Sequence, residues 1–198
     1  MKKKIALLMA MVMLFAVTTA GTLAWLQDKT DPVVNTFTVG DINITLTETY
    51  NKDTDDDGEN DTWEGKIIPG TDLTKDPLVT VESGSEACWL FVKVEEENWP
   101  TAVEEGTTTR KVNYAIASGW TALNDVPGVY YREVSASTSD QEFPVLLNNK
   151  VTVSNTLTKA EANAITTPKL TFTAYAVQAE NFNTAAAAWT ATFGASNS

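Results

Sequence analysis

Alternating apolar and polar positions run along most of the chain and predict an all-β protein. Residues 39–46 read V-G-D-I-N-I-T-L, which places Ile42, Ile44 and Leu46 on one face and polar side chains on the other. A period of two is typical of a strand with one buried face. Turn residues such as Pro69-Gly70 separate further segments of this kind. The other strand candidates are residues 78–82, 87–95, 112–117, 129–134, 150–154 and 169–179.

Seven or eight strands at this spacing favour an antiparallel jelly roll or β-sandwich with one or two short helices. Residues 157–165 are a helix candidate, because Thr158 can serve as N-cap and Glu161 follows three residues later, as in a capping box. Residues 183–191 are the other, with Asn183 as a possible cap. No internal repeat or linker is evident, so residues 41–198 are predicted to form one domain.

The N-terminal residues 1–24 resemble an export signal. Three lysines precede the uncharged apolar run at residues 5–20, and small residues follow it. Cleavage after Ala24 is preferred and cleavage after Ala20 is second, while an uncleaved membrane anchor is the alternative. Membrane contact is therefore expected only through this segment, before cleavage. The residues predicted to define the cleavage site are Thr22, Ala24 and Trp25.

Charge and composition exclude several classes of function. The net charge is −12, and export would remove three lysines and no acid, so binding to nucleic acid is not expected. The chain has no His, which rules out a Ser-His-Asp triad and His-ligated zinc. Its one Cys, Cys88, cannot form an intramolecular disulfide and lies in an apolar run, which predicts a buried side chain.

An acidic segment at residues 53–64, D-T-D-D-D-G-E-N-D-T-W-E, matches the calcium-loop pattern D-x-D-x-D-G-x5-E. Calcium requires six to eight oxygen ligands, and Gly58 permits the turn that directs them inward. The flanks are strand-like, so the loop would not be an EF-hand, and a solvated β-turn is the alternative. The predicted Ca²⁺ ligands are Asp53, Asp55, Asp57, Glu59 (through its carbonyl), Asp61 and Glu64.

Other carboxylates occur in runs at residues 95–97 and 104–105. Composition alone permits a paired-carboxylate glycosidase, but charge runs beside turns are usually solvated surface. Ser83-Gly-Ser85 has no nearby base that could activate a hydroxyl. We therefore predict that the protein is not an enzyme.

A family resemblance covers about residues 20–95. The pattern is Thr-x-Ala, an aromatic residue, an Asp soon after, N-x-F-x-x-G and an alternating strand, followed downstream by Ile68-Pro-Gly70, Thr74-Lys-Asp-Pro77 and Val79-Thr-Val81. In this pattern the chain resembles the TasA and camelysin family of secreted biofilm-matrix proteins from Gram-positive bacteria. The N-terminal positions that carry the resemblance are Thr22, Ala24, Trp25, Asp28, Asn35, Phe37 and Gly40.

The resemblance implies a jelly-roll subunit that a dedicated signal peptidase processes and that polymerises outside the cell by donor-strand exchange. Residues 25–40 would then be the arm that pairs with a neighbouring sheet, and the alternative is an edge strand within the same subunit. Protease activity, which is associated with camelysin, is not expected in a chain without His. The predicted apolar contacts of the arm are Trp25, Leu26, Val33, Val34, Phe37 and Val39.

The preferred hypothesis is a secreted structural subunit of a biofilm-matrix fibre, located in the extracellular matrix or at the cell surface. Its expected partners are further copies of itself and related matrix proteins. The alternative hypothesis is a monomeric, extracellular, calcium-dependent module that binds polysaccharide or protein.

Overall fold

The computed structural model describes the backbone of Gln27–Lys29, residues 42–49 and residues 66–194. These parts are mostly β, with antiparallel sheets and two short helices, as the alternating pattern predicts. The strands are β1 Gln27–Lys29, β2 Ile44–Thr47, β3 Asp72–Thr74, β4 Leu78–Val81, β5 Cys88–Glu97, β6 Val112–Asn113, β7 Thr121–Ala122, β8 Val129–Val134, β9 Gln141–Pro144, β10 Lys150–Val153 and β11 Lys169–Gln178. The helices are α1 Lys159–Ala164 and α2 Ala185–Thr192, and 3₁₀ turns span Leu147–Asn149 and Ala179–Asn181.

The large sheet has five strands in the order β1-β11-β5-β8-β7. At its centre β5 and β11 pair along all ten residues of each strand. Leu90, Phe91 and Val92 in β5 are all fully buried. Successive side chains of a strand point to opposite faces, so both faces of this sheet are covered, which explains why β5 begins with a continuous apolar run at residues 88–92.

Two smaller sheets face the large one: the second sheet, β2-β4-β9, and the third sheet, β3-β10-β6. They continue one another, because β3 leads into β4 and β9 leads into β10. Backbone hydrogen bonds bridge the junction, from Lys75 to the Asn149 carbonyl and from Val145 to the Pro77 carbonyl, each 2.9 Å long. The long pairing of β3 and β4 with β9 and β10 is therefore bent but not broken.

Two hydrophobic cores lie on opposite faces of the large sheet. The first core is shared by all three sheets and contains Leu90 and Val92. The second core lies beneath α2 and contains Phe91, Tyr175 and Trp189. The ring centroid of Trp189 lies 5.2 Å from that of Phe91 and 5.3 Å from that of Tyr175, so the helix is anchored by aromatic packing.

Capping residues determine where the helices begin. In α1 the Thr158 hydroxyl accepts a hydrogen bond from the Glu161 N–H at 3.2 Å, and the Glu161 carboxylate accepts one from the Thr158 N–H at 2.7 Å. The predicted capping box is thus confirmed. For α2 the cap is Thr184, whose hydroxyl accepts from the Ala187 N–H at 3.2 Å, so the prediction of Asn183 is wrong by one residue.

Strand predictions hold best for long segments. The predicted segment 129–134 coincides with β8, and Cys88 is buried as expected. The segment 112–117 is strand only at β6; beyond it, Ile116 forms an isolated bridge to Leu146, because the opposite chain turns away into a 3₁₀ turn. The described residues contain eleven strands, more than the seven or eight predicted, since β1, β3, β7 and β9 each carry at most one large apolar side chain and so show no alternation.

Candidate functional sites

Most of the predicted site residues lie outside the parts of the chain that the structure describes. Export, calcium binding and the apolar contacts of the arm therefore stay predictions. Within residues 42–49 and 66–194, no group of three or more His, Cys, Asp or Glu side chains is arranged to hold a metal ion. The predicted residues outside the described parts are Thr22, Ala24, Trp25, Leu26, Val33, Val34, Phe37, Val39, Asp53, Asp55, Asp57, Glu59, Asp61 and Glu64.

A short part of the N-terminal arm is placed. The backbone of β1 pairs antiparallel with β11, with Gln27 opposite Val177 and Lys29 opposite Tyr175. This makes β1 an edge strand of the large sheet, three residues after the predicted cleavage site. Residues 169–173 of β11 have no described strand on the side away from β5. An edge of this kind presents backbone groups to which another strand can pair.

A buried ion pair lies where β2 ends and the chain leaves β3. The Lys75 ammonium lies 2.5 Å from the Glu48 carboxylate, and the two side chains are 10% and 7% exposed. The same ammonium lies 5.5 Å from the ring centroid of Phe172 in β11. Burial raises the pKa of Glu48, and the nearby Lys75 only partly opposes this. Next to the pair, Thr49 donates hydrogen bonds to Asp76 from its N–H and its hydroxyl.

Arg132 in β8 is a half-buried cation near β7, at the edge of the large sheet opposite to β1. Its guanidinium lies 3.9 Å from the ring centroid of Phe143 and 5.5 Å from that of Trp120. Burial lowers its pKa, and within the described residues its Nε has no hydrogen-bond partner. Trp120 in turn donates to the Pro144 carbonyl at 2.9 Å. This stack joins β8 to β9, and sequence reasoning missed it because its members are far apart in the chain.

Glu96 is the centre of a polar cluster at the end of β5. Its carboxylate accepts two hydrogen bonds from Arg110, at 2.6 and 2.7 Å, and one from the Tyr114 hydroxyl at 2.7 Å. The Arg110 hydrogen bonds lower the pKa of Glu96, while burial and the bond to Glu96 raise the pKa of Tyr114. A carboxylate with these three donors is held ionised, which suits a structural role and not proton transfer.

A polar groove lies on the third sheet and has a volume of about 570 Å³. Its floor is formed by side chains of β3, β10 and β6, among them Asp72, Thr152 and Asn113. The wall on one side is the hairpin closed by the bridge between Val103 and Arg110, and the Leu147–Asn149 turn forms the other. The sequence analysis did not identify this groove, because its residues come from five separate segments and share no motif.

None of the helices in the described parts is both long and apolar enough to span a membrane. The comparisons with known proteins add no relative from which a function could be transferred. No family model matches the chain, and no significant match was found among curated proteins or solved structures.

Proposed function

We propose that this protein is a secreted, non-enzymatic subunit of an extracellular matrix fibre, with a jelly-roll fold, that polymerises by exchanging its N-terminal arm. Removal of residues 1–24 by a signal peptidase would free the arm. Its partners would be further copies of the chain and related matrix proteins. The observation that supports this most directly is the position of β1 at the edge of the large sheet, paired with β11.

The pairing of β1 has the features that strand exchange requires. Each backbone hydrogen bond that the described residues of β1 give up on release is worth about 0.5–1.5 kcal/mol net. The same bonds re-form when the strand pairs with β11 of a second copy. Because the arm and β11 are different surfaces, each added subunit exposes a new β11 edge, and the contact propagates as a filament.

The first experiment compares three forms of the chain that begins at Trp25 by electron microscopy and light scattering. One form is unchanged, one lacks residues 25–37, and one carries Gln27→Pro with Asp28→Pro. Successive N–H groups of a strand point to opposite sides, so one of these two prolines must remove a donor to β11. Only the unchanged form and the matched control, Gln27→Ala with Asp28→Ala, should form filaments. Filaments without the arm, or monomers throughout at high concentration, would contradict the proposal.

The second experiment tests whether the pairing joins two molecules. Gln27 lies opposite Val177, and directly opposed residues of antiparallel strands are close enough for a disulfide. Mixing a Gln27→Cys chain with a Val177→Cys chain under oxidation should give a disulfide-linked dimer on a non-reducing gel. The unchanged chain, whose one thiol is that of Cys88, is the control for background dimers; burial raises the pKa of this thiol to about 12. If Gln27→Cys with Val177→Cys in one chain gives only an internal disulfide while the mixture gives none, the pairing is intramolecular.

A further inference from the structure

The polar groove lies on the face of the third sheet that points away from the shared core. In β10, Val151 and Val153 are buried in that core, whereas Thr152 between them is exposed. Thr152 pairs with Asp72 of β3 on one side and with Asn113 of β6 on the other, so these side chains form a row across the sheet. The volume of about 570 Å³ falls within the range of small-ligand sites.

Carboxylates in and beside the groove neutralise the cations that line it. Three cations line it, although the chain as a whole is strongly acidic. Each cation is held by a carboxylate within 3.0 Å, so none is left to attract an anionic ligand. The Glu104 carboxylate accepts a hydrogen bond from the Thr156 hydroxyl at 2.6 Å. The ion pairs are Lys150–Asp72, Arg110–Glu96 and Lys111–Glu161.

Hydrogen-bonding groups that the protein does not use also line the groove. The side-chain amides of Asn113, Asn148 and Asn155 make no hydrogen bond to any described residue. Each amide offers two donor hydrogens and one acceptor oxygen. Such a group can donate to one hydroxyl and accept from its neighbour, which matches the paired hydroxyls of a sugar ring.

The groove also has an apolar side. Leu147 lines it and is 46% exposed, which is unusual for a large apolar side chain in this protein, and Ala115 and Tyr114 lie along the same groove. A pyranose ring has hydroxyls at its edge and C–H groups on its faces. An apolar strip beside unused amides fits that combination, whereas an ion or a phosphate would have no use for the strip.

We propose that this groove binds a neutral, hydroxyl-rich glycan chain. An extended peptide is a poorer fit, because peptides usually bind sheets by pairing with an edge, and the groove lies on a face of the sheet. The proposal does not depend on fibre formation, since the groove and the arm are different surfaces. Glycan binding would hold the protein to a polysaccharide in either state of assembly.

Calorimetric titration of the chain that begins at Trp25 tests the proposal. The probes are hexasaccharides: neutral β-1,4-glucose, neutral β-1,4-N-acetylglucosamine and neutral α-1,6-glucose, with an anionic galacturonate hexamer and an unstructured neutral peptide for comparison. At least one neutral glycan should bind, and the galacturonate and the peptide should not. If no neutral glycan binds at millimolar concentration, or if the galacturonate or the peptide binds more tightly, the proposal is wrong.

Variants then locate the site. Asn113→Ala with Asn155→Ala should weaken glycan binding about tenfold through the loss of several hydrogen bonds. The control pair, Asn124→Ala with Asn183→Ala, removes exposed amides that do not line the groove and should leave the affinity unchanged. Thermal melting of both variants establishes that they are folded. Equal affinity in the two variants would place binding elsewhere and overturn the proposal, whatever the result of the filament experiments.

Discussion

Replacing Lys75 with Met should destabilise the protein more than almost any other single change near its surface. The Glu48 carboxylate that Lys75 neutralises is 7% exposed and lies 2.5 Å from the ammonium. Removing one partner of a buried pair leaves the other charge without compensation, which typically costs about 3–5 kcal/mol. Because both side chains are almost fully withdrawn from water, we expect a loss within this range at pH 7.

The reverse change, Glu48→Gln, should cost less than Lys75→Met. The ammonium that remains lies 5.5 Å from the centroid of the Phe172 ring, and a desolvated contact of this kind is worth up to about 2 kcal/mol. The double variant, Lys75→Met with Glu48→Gln, removes both charges and should recover much of the stability that Lys75→Met loses. Buried ion pairs contribute little net stability compared with uncharged replacements. The sum of the two single losses should thus exceed the loss in the double variant.

The pH dependence provides an independent check. Burial raises the pKa of Glu48 above 4.5, so its contribution to stability is complete below the unfolded pKa and is lost as pH rises through the folded pKa. Without Lys75 the folded pKa should rise further. The loss caused by Lys75→Met should therefore shrink as the pH falls from 7 towards 4.5, because the buried carboxyl then takes up a proton.

The assay is urea unfolding monitored by tryptophan fluorescence. The slope of the unfolding free energy against urea concentration is compared between variants, because a shift in midpoint reports stability only if this slope is unchanged. Lys169→Met serves as the matched control, because Lys169 pairs with Glu97 at an exposed site and should change stability by less than about 1 kcal/mol. Strict additivity of the two single losses would refute the coupling. A loss below about 1 kcal/mol for Lys75→Met would refute the magnitude.

Three further predictions concern the fold. Gly84→Ala should lower the free energy of unfolding by about 1–2 kcal/mol through its φ of +84° alone, because the space around it is open. Gly128→Ala should lower it clearly more in urea unfolding, because its Cβ would lie 2.6 Å from a β5 carbonyl oxygen. Trp189→Ala should cost about 3–5 kcal/mol by opening the core beneath α2, and the exposed Thr190→Ala less than about 0.5 kcal/mol; equal midpoints would contradict this. The N-cap backbone hydrogen bond, together with Lys111, lowers the pKa of Glu161 to about 2. The ionised carboxylate should therefore stabilise the fold above pH 4.5, and this contribution should disappear as the pH falls towards 2. Unfolding measured across that range should show Glu161→Gln to be less stable than the unchanged chain above pH 4.5 and equally stable near pH 2.

Local patterns predicted the parts of the fold that depend on neighbouring residues. The period of two located β4 and β8, and the spacing of Thr158 and Glu161 identified the start of α1. The same patterns could not locate β3 and β7, which have three and two residues and whose existence depends on the partner strand. Nor could they reveal that α2 covers the large sheet, since that contact joins distant parts of the chain.

The candidate sites are of two kinds: those whose residues are contiguous in sequence and those whose residues are far apart. The predicted calcium loop and the predicted arm are each contiguous in sequence, so a motif could suggest them, and both stay predictions. Lys75 with Glu48, Arg132 with Phe143, and the amides of the groove come together only in the folded chain. Apart from Lys75, which lies in the segment Thr74-Lys-Asp-Pro77 of the family resemblance, no motif includes them, because the chemistry of each depends on burial and on partners from other strands.

The two proposals use surfaces that the fold keeps apart. Within the described residues, both faces of the large sheet are covered, one by the shared core and the other by α2, so a further strand can join this sheet only at an edge. The polar groove lies instead on the outer face of the third sheet, where it competes with no strand pairing. A subunit in a filament could therefore keep its groove open, and polymerisation would then place many weak glycan sites along one fibre. Repeated sites of this kind would bind a long polysaccharide far more tightly than any single groove.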